Sequence, residues 1–348
     1  MSEVAFPGGL SRGDPDLSDR LRDVFGAVVQ LHGRMARPVG SETLAHQAGI
    51  PLSPASIRNA LAELEEMGLL ERHHSSAGRT PSVRGYEYFV RALLRPTELP
   101  EGLQAEIDRI LMRPARDVEQ LLNEASRLLS SLTHQLGLAV ASTLERERLD
   151  RFDLESLGER RALMVLGLEG GAARTLVLEL ESPLDRGELQ EVAAVLRERV
   201  VGLALSEVRE RLAGDPELVR WSAARLVARA AAESWSRAVA TPLFSAGAAH
   251  IAQQPEFASS ERLGAVLAAV ESGAPLDRLM ILGIEGLAGV RVGLREGAGL
   301  AACSLVSYRL PGRVPAAVGV LGPLRMNYSY ALAVVDTVGS RVAELLHS

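Results

Sequence analysis

Apolar positions recur at three- and four-residue steps through Leu21, Val24, Phe25, Val28, Leu31 and Met35, the spacing of a helix with one buried stripe. Ser18 opens that helix and Arg37-Pro38 ends it. A second, short helix is predicted from Ser41 to Ala48, with Gly49 as its left-handed stop. Ser53 as N-cap and Pro54 at the first helical position, where a missing N–H costs nothing, open a third helix that closes at Gly68. Its apolar face is Ile57, Ala60, Leu61 and Leu64, which leaves Ser56, Arg58, Asn59, Glu63 and Glu66 on other faces. Leu69 to Arg72 reads as a short strand, His73 to Gly78 as a polar loop with Gly78 at positive φ, and Arg79 onward as a return arm. Thr80-Pro81 or Ser82 then opens a fourth helix carrying Tyr86, Phe89, Val90 and Leu93. Helices and ribbon in this order predict a winged helix-turn-helix over 17–95.

Residues 1–16, rich in Gly, Pro and Asp and without periodicity, read as a disordered leader, and Pro96, Pro100 and Gly102 mark a linker over 96–102. An amphipathic segment over 103–135, interrupted at Arg113-Pro114, precedes strand-like runs at 136–142, 161–168 and 174–181, the last two separated by Gly170-Gly171. The pattern turns helical over 185–271, and strand signals return at 278–284, 287–295, 301–308 and 315–321 before a closing helix from Tyr328 to Leu346. The fold class expected is therefore α+β multidomain: 103–184 and 276–348 form one domain, into which a mainly helical domain, 185–275, is inserted.

Composition narrows the function. The 348 residues contain one cysteine, Cys303, and no lysine, so all 38 basic residues are arginine. A lone Cys excludes a disulfide framework and suits a reducing cytoplasm. No apolar run of membrane-spanning length and no signal peptide is present, so a cytoplasmic protein without a membrane partner is expected. The net charge of -6 argues against bulk coating of nucleic acid, yet 72–95 carries five arginines against Glu87, a local +4 beside His73 and His74. Helix and wing supply the matching donors. Ser53, Ala55, Ser56, Arg58 and Asn59 stand at the start of the third helix, where Arg suits guanine and Asn suits adenine. His74, Ser76, Gly78, Arg79 and Arg84 stand on the wing, suited to phosphate. Catalytic patterns are lacking: no Gly-x-Ser-x-Gly elbow and no Gly-Lys-Ser/Thr phosphate loop occurs, and carboxylate pairs such as Glu65-Glu66 carry no information in a chain with 44 acids. A non-enzyme with no cofactor and no metal is expected. One wing at +4 makes too few phosphate contacts for tight binding, so two copies on a palindrome are expected, with Trp221, Leu226 and Trp235 as interface candidates beside their reading as intradomain core.

The strings RPVGSETLA (Arg37–Ala45), LSPASIRNALAELEEMGLL (Leu52–Leu70) and HSSAGRTPSVRGYEY (His74–Tyr88) together resemble the N-terminal domain of the heat-inducible transcription repressor family, HrcA. Gln254-Pro255-Glu256-Phe257 and GVLGPLRMNY (Gly319–Tyr328) are similar to later signatures of the same family, so the likeness spans Leu17 to Leu346. This resemblance implies a dimeric repressor with a winged-helix domain, a GAF-like domain and a dimerisation domain inserted in it. It implies an inverted-repeat operator in double-stranded DNA before chaperone operons of the groE and dnaK type, and the GroE chaperonin as a partner that keeps the repressor active. The family's recognition-helix Arg-Asn falls on Arg58-Asn59 and its wing Ser-Ala-Gly-Arg on Ser76 to Arg79. Glu42, Ser56, Thr80, Leu324 and Asn327 depart from the family pattern. The alternative is a ligand-responsive transcription factor whose GAF-like sheet holds a small molecule near Glu285 to Val292.

Overall fold

The computed structural model describes residues 4–5, 14–72, 78–112, 118–141, 148–169, 173–238, 243–297, 299–312 and 315–347. The chain is mixed α/β with several sheets and divides into two compact units, Met1–Val140 with Leu243–Ser348, and Ala141–Pro242.

The first unit opens with β1 (Val4–Ala5), α1 (Asp19–Met35), α2 (Ser41–Gln47), α3 (Pro54–Glu66), β2 (Leu70–Glu71), β3 (Thr80–Pro81) and α4 (Val83–Tyr88), which widens into a π-helical turn at Phe89–Leu93. α5 (Glu101–Leu111), α6 (Val118–Thr133) and β4 (Leu136–Ala141) follow. The second unit supplies β5 (Leu149–Gly158), β6 (Arg161–Leu168), β7 (Ala173–Glu179), α7 (Arg186–Val200), α8 (Leu205–Gly214), α9 (Pro216–Arg220) and α10 (Ser222–Ala238). The chain then returns with β8 (Leu243–Ala246), α11 (Ala248–Ala252), α12 (Ser260–Ser272), α13 (Leu276–Ile281), β9 (Ala288–Val292), β10 (Cys303–Leu310), β11 (Ala316–Pro323) and α14 (Tyr328–His347).

In the first unit a six-stranded sheet runs β1-β9-β10-β11-β4-β8. β10 and β11 are buried along nearly their whole length because helices cover both faces. Leu138, Cys303, Leu305, Ala317 and Leu321 pack with Phe257, Val266, Leu276 and Leu279 on one side. On the other lie α6 and α14, so close that a Cβ on Gly137 would stand 1.9 Å from the Ser126 carbonyl oxygen. The stretch expected as a strand at 278–284 is instead α13, whose Leu276, Leu279 and Met280 are buried at helical spacing. The leader expected to be disordered is held at two described places: Val4 and Ala5 pair with Val290 and Gly289, and Asp14 takes both ends of the Arg91 guanidinium at 2.7 and 3.1 Å.

The second unit has its own antiparallel sheet, β5-β6-β7. Phe152, Met164, Leu166, Leu176 and Leu178 project from one face onto Val192, Leu196, Ala224 and Val227 of α7 and α10. An Asp185–Glu188 capping box starts α7, with reciprocal bonds of 2.8 and 3.1 Å. This unit begins at 141 and ends at 242, whereas the sequence places the helical insertion at 185–275. The difference has a direct cause. β5, β6 and β7 pair with one another and share a core with α7–α10, while α11–α13 pack on the six-stranded sheet.

Candidate nucleic-acid interface

Local chemistry positions α3. The Ser53 hydroxyl accepts from the Ser56 backbone N–H at 3.1 Å, Pro54 occupies the first helical position, and the chain leaves the helix through Gly68 at φ 72°. Ile57, Ala60, Leu61 and Leu64 are fully or nearly fully buried and pack toward α1 and α2, so helical spacing forces the intervening positions outward. Ser53, Ala55, Arg58 and Asn59 are exposed and Ser56 is half-buried, its hydroxyl 3.0 Å from that of Ser53. The five recognition-helix candidates thus share one accessible end of a rigid helix.

The wing candidates divide differently. His74 and Ser76 lie outside the described residues. Gly78 is needed for closeness and not for its φ: a Cβ there would stand 2.3 Å from the Val39 carbonyl carbon and oxygen, because Val39 and Arg79 exchange backbone hydrogen bonds of 2.8 and 2.9 Å. Arg79 gives its Nε to Glu65 Oε2 at 2.7 Å, and its side chain is only 11% exposed. Arg72 approaches the same carboxylate at 3.6 Å. Arg84 is exposed and donates to the Met67 carbonyl at 3.2 Å, at the exit of α3. Two of the basic wing candidates therefore hold the ribbon against α3, and Glu65, one of many acids in the sequence, proves to be the anchor for Arg79.

The base of the ribbon is closed by Ser82, whose hydroxyl accepts from the Gly85 N–H at 2.9 Å and donates to the Gly68 carbonyl at 2.7 Å. Gly85 sits against β2: a Cβ would fall 2.1 Å from the Leu69 carbonyl oxygen. The Tyr88 ring meets Phe25 of α1 edge-on at 5.9 Å between centroids.

Of the interface candidates, Trp221 and Leu226 are half-buried and pack against the core of the second unit. Trp235 belongs to α10, and its side chain lies outside the described residues.

Residues the sequence left unassigned tie this region to the six-stranded sheet. Arg325 donates to Gly33 O at the end of α1 at 3.2 Å while gripping Glu256 Oε1 at 2.6 Å and Oε2 at 3.2 Å. Tyr86 bonds His32 Nδ1 at 2.6 Å and packs its ring 6.1 Å from that of Tyr328, whose hydroxyl bonds Ser304 at 2.7 Å. Burial pushes both phenols well above the ordinary tyrosine range, so they remain protonated.

Among the described residues no helix is long and apolar enough to cross a membrane. Residues 119–332 match the family model described as the HrcA protein C terminal domain. The chain is 31% identical over 340 residues to the heat-inducible transcription repressor HrcA of Shouchella clausii, covering 95% of this chain and 98% of that one. It is 32% identical over 345 residues to the protein of the same name in Symbiobacterium thermophilum, covering 94% and 98%. The crystal structure of a hypothetical protein shares the fold, with a TM-score of 0.57 over 94% of this chain and 98% of that one at 20% identity. The chain belongs to the heat-inducible transcription repressor family, HrcA.

Proposed function

We propose that this chain represses heat-shock chaperone operons as a dimer bound to an inverted repeat, with 17–95 as a winged-helix DNA-binding domain and a GAF-like six-stranded sheet domain behind it. The observation that carries the reading is the accessible N-terminal end of α3, where Ser53, Ala55, Arg58 and Asn59 stand free of the core on a helix braced from three sides. Such an end fits the major groove, and Arg and Asn there offer the paired donors and acceptors that guanine and adenine require. Dimerisation supplies the second half-site, and the second unit, with Trp221 between α9 and α10 and Leu226 on α10, is its candidate location. The GroE chaperonin is the partner that the family resemblance implies, acting on a fold whose sheet joins β4 to strands beyond residue 242 and which therefore forms through distant contacts. Footprinting on genomic DNA tests the operator: protection of an inverted repeat beside chaperone genes is expected, and protection of no inverted repeat overturns the proposal. For the chaperonin, recovery of operator binding after mild heating should be faster with GroE and nucleotide, and equal recovery without them removes that part.

A second reading, a small-molecule sensor, is favoured by one observation. A groove of about 550 Å³ lies between Leu99, Gln104, Leu287, Ala288, Leu332 and Asp336, beside the 285–292 stretch. Native mass spectrometry of the purified protein distinguishes the two, since a sensor would retain a ligand that operator binding alone does not require.

A further inference from the structure

Two stretches far apart in the chain converge on one side chain of a third. Arg325, in the Pro323–Tyr328 connection, reaches Gly33 at the end of α1, Gln254 and Glu256. Its side chain is 13% exposed and that of Glu256 25%, so the fork-to-fork pair is largely shielded from water. The backbone is equally close on the other side, because a Cβ on Gly33 would stand 3.0 Å from the Arg325 carbonyl oxygen. Three residues on, Tyr328 makes the second grip through Tyr86, and its own hydroxyl is fixed to Ser304 of β10. α1 carries α3 through a shared core, so whatever holds the end of α1 also aims the exposed end of α3.

We propose that Arg325 is a positioning residue for DNA binding: by clamping the end of α1 to the Gln254–Glu256 turn it sets the angle at which α3 is carried on the six-stranded sheet, and so the half-site spacing that a dimer accepts. A shielded ion pair of this kind adds little net stability over an apolar contact but fixes one arrangement among several. Aiming is the task that a two-half-site reader needs, because half a helical turn of DNA carries a half-site from the productive face to the opposite one. The spacing part rests on the dimeric operator reading above; the clamp itself does not.

The test separates the two. In the full-length protein, Cys303 is buried and its thiol is pushed up to about 12 by burial, so it stays unlabelled when His46→Cys on α2 and Ala268→Cys on α12 carry spin labels. Labelled chains diluted in unlabelled protein should give one narrow distance with Arg325 in place and a broad distribution in Arg325→Ala, with Arg325→Lys between them, because lysine keeps the charge and loses the fork. Should Arg325→Ala fail to fold, Glu256→Gln takes its place, with a smaller broadening expected. On DNA, preference for the native spacing over one lengthened by about 5 base pairs, half a turn, should fall at least about tenfold while affinity for an isolated half-site changes less than about twofold. An unchanged narrow distance in the variants overturns the clamp. Equal losses on half-site and full site overturn the aiming role. Broadening in a protein whose unmodified form prefers no inverted repeat leaves the clamp standing and removes the operator reading instead.

Discussion

The outward end of α3 and the base of the β2–β3 ribbon both carry arginine, yet they use it in opposite ways. Arg58 stands exposed on a helix whose other face is core, while Arg79 is spent on Glu65 and Arg84 reaches the carbonyl at the end of the same helix. A local charge of +4 over 72–95 therefore overstates what that segment can offer to phosphate, because part of it is neutralised inside the fold. Charge counted along a sequence locates a region, and only its partners decide whether a guanidinium stays open to a ligand or supports the fold.

The largest effect is expected at the supporting side, where backbones touch. Gly85→Ala places a methyl group 2.1 Å from the Leu69 carbonyl oxygen, so either α4 or β2 must move. A loss of about 3 kcal/mol in urea unfolding is expected. A change under about 0.5 kcal/mol would mean that the ribbon adjusts freely and is no scaffold.

On the reading side, Arg58→Ala should leave the melting temperature unchanged and cost about 2 kcal/mol per half-site, with specificity relaxed at one base pair. A selection matrix identical to that of the unmodified protein would place Arg58 among solvated surface residues.

The legibility of the molecule follows the same line. Caps and stripes near in sequence were readable: Ser53 and Pro54 start α3 as expected, Gly49 and Gly68 take positive φ, and β10, β11 and α14 fall where alternation and periodicity put them. Gly78 carries a different burden from the one expected, because its partner Val39 is close only in the folded chain. α13 reads as a strand because six residues are too few for a helical period to separate from an apolar run. β5 escapes notice because register shifts between Leu149 and Arg151 and between Ser156 and Gly158 break its alternation. Of the candidate interface, the exposed face of α3 was legible from spacing alone. The Glu65 anchor was not, since nothing local distinguishes it from Glu66. Nor was Arg325, whose contacts lie 69 and 292 residues away.

Arg79→Ala tests the division from the wing. Removing the guanidinium leaves the Glu65 carboxylate beside Arg72 alone, and about 1.5 kcal/mol of folding stability should be lost. The salt dependence of DNA binding should keep its slope. If instead the slope falls by about 1 at unchanged stability, Arg79 leaves Glu65 to meet phosphate, and the wing base reads as well as supports.

The smallest expected effect falls on the one residue that belongs to both sides. Ser53 caps α3 through the Ser56 N–H, a scaffold task, and its hydroxyl is exposed at the end proposed to enter the groove. Ser53→Ala removes the cap and should cost about 1 kcal/mol of stability. Ser53→Asp separates the roles, because Asp caps as well as Ser and its charge suits the positive end of the helix dipole, so folding should be unharmed. The same charge would face the phosphate-lined groove, and binding should weaken by about 1 kcal/mol, roughly fivefold, and more at low salt than at high. Stability and affinity measured on Ser53→Asp at two salt concentrations therefore decide the matter. Retained stability with weakened, salt-dependent binding places the start of α3 against DNA. Retained stability with unaltered binding turns that end away from the duplex, and Arg58 and Asn59 with it, since all three ride on the same rigid helix.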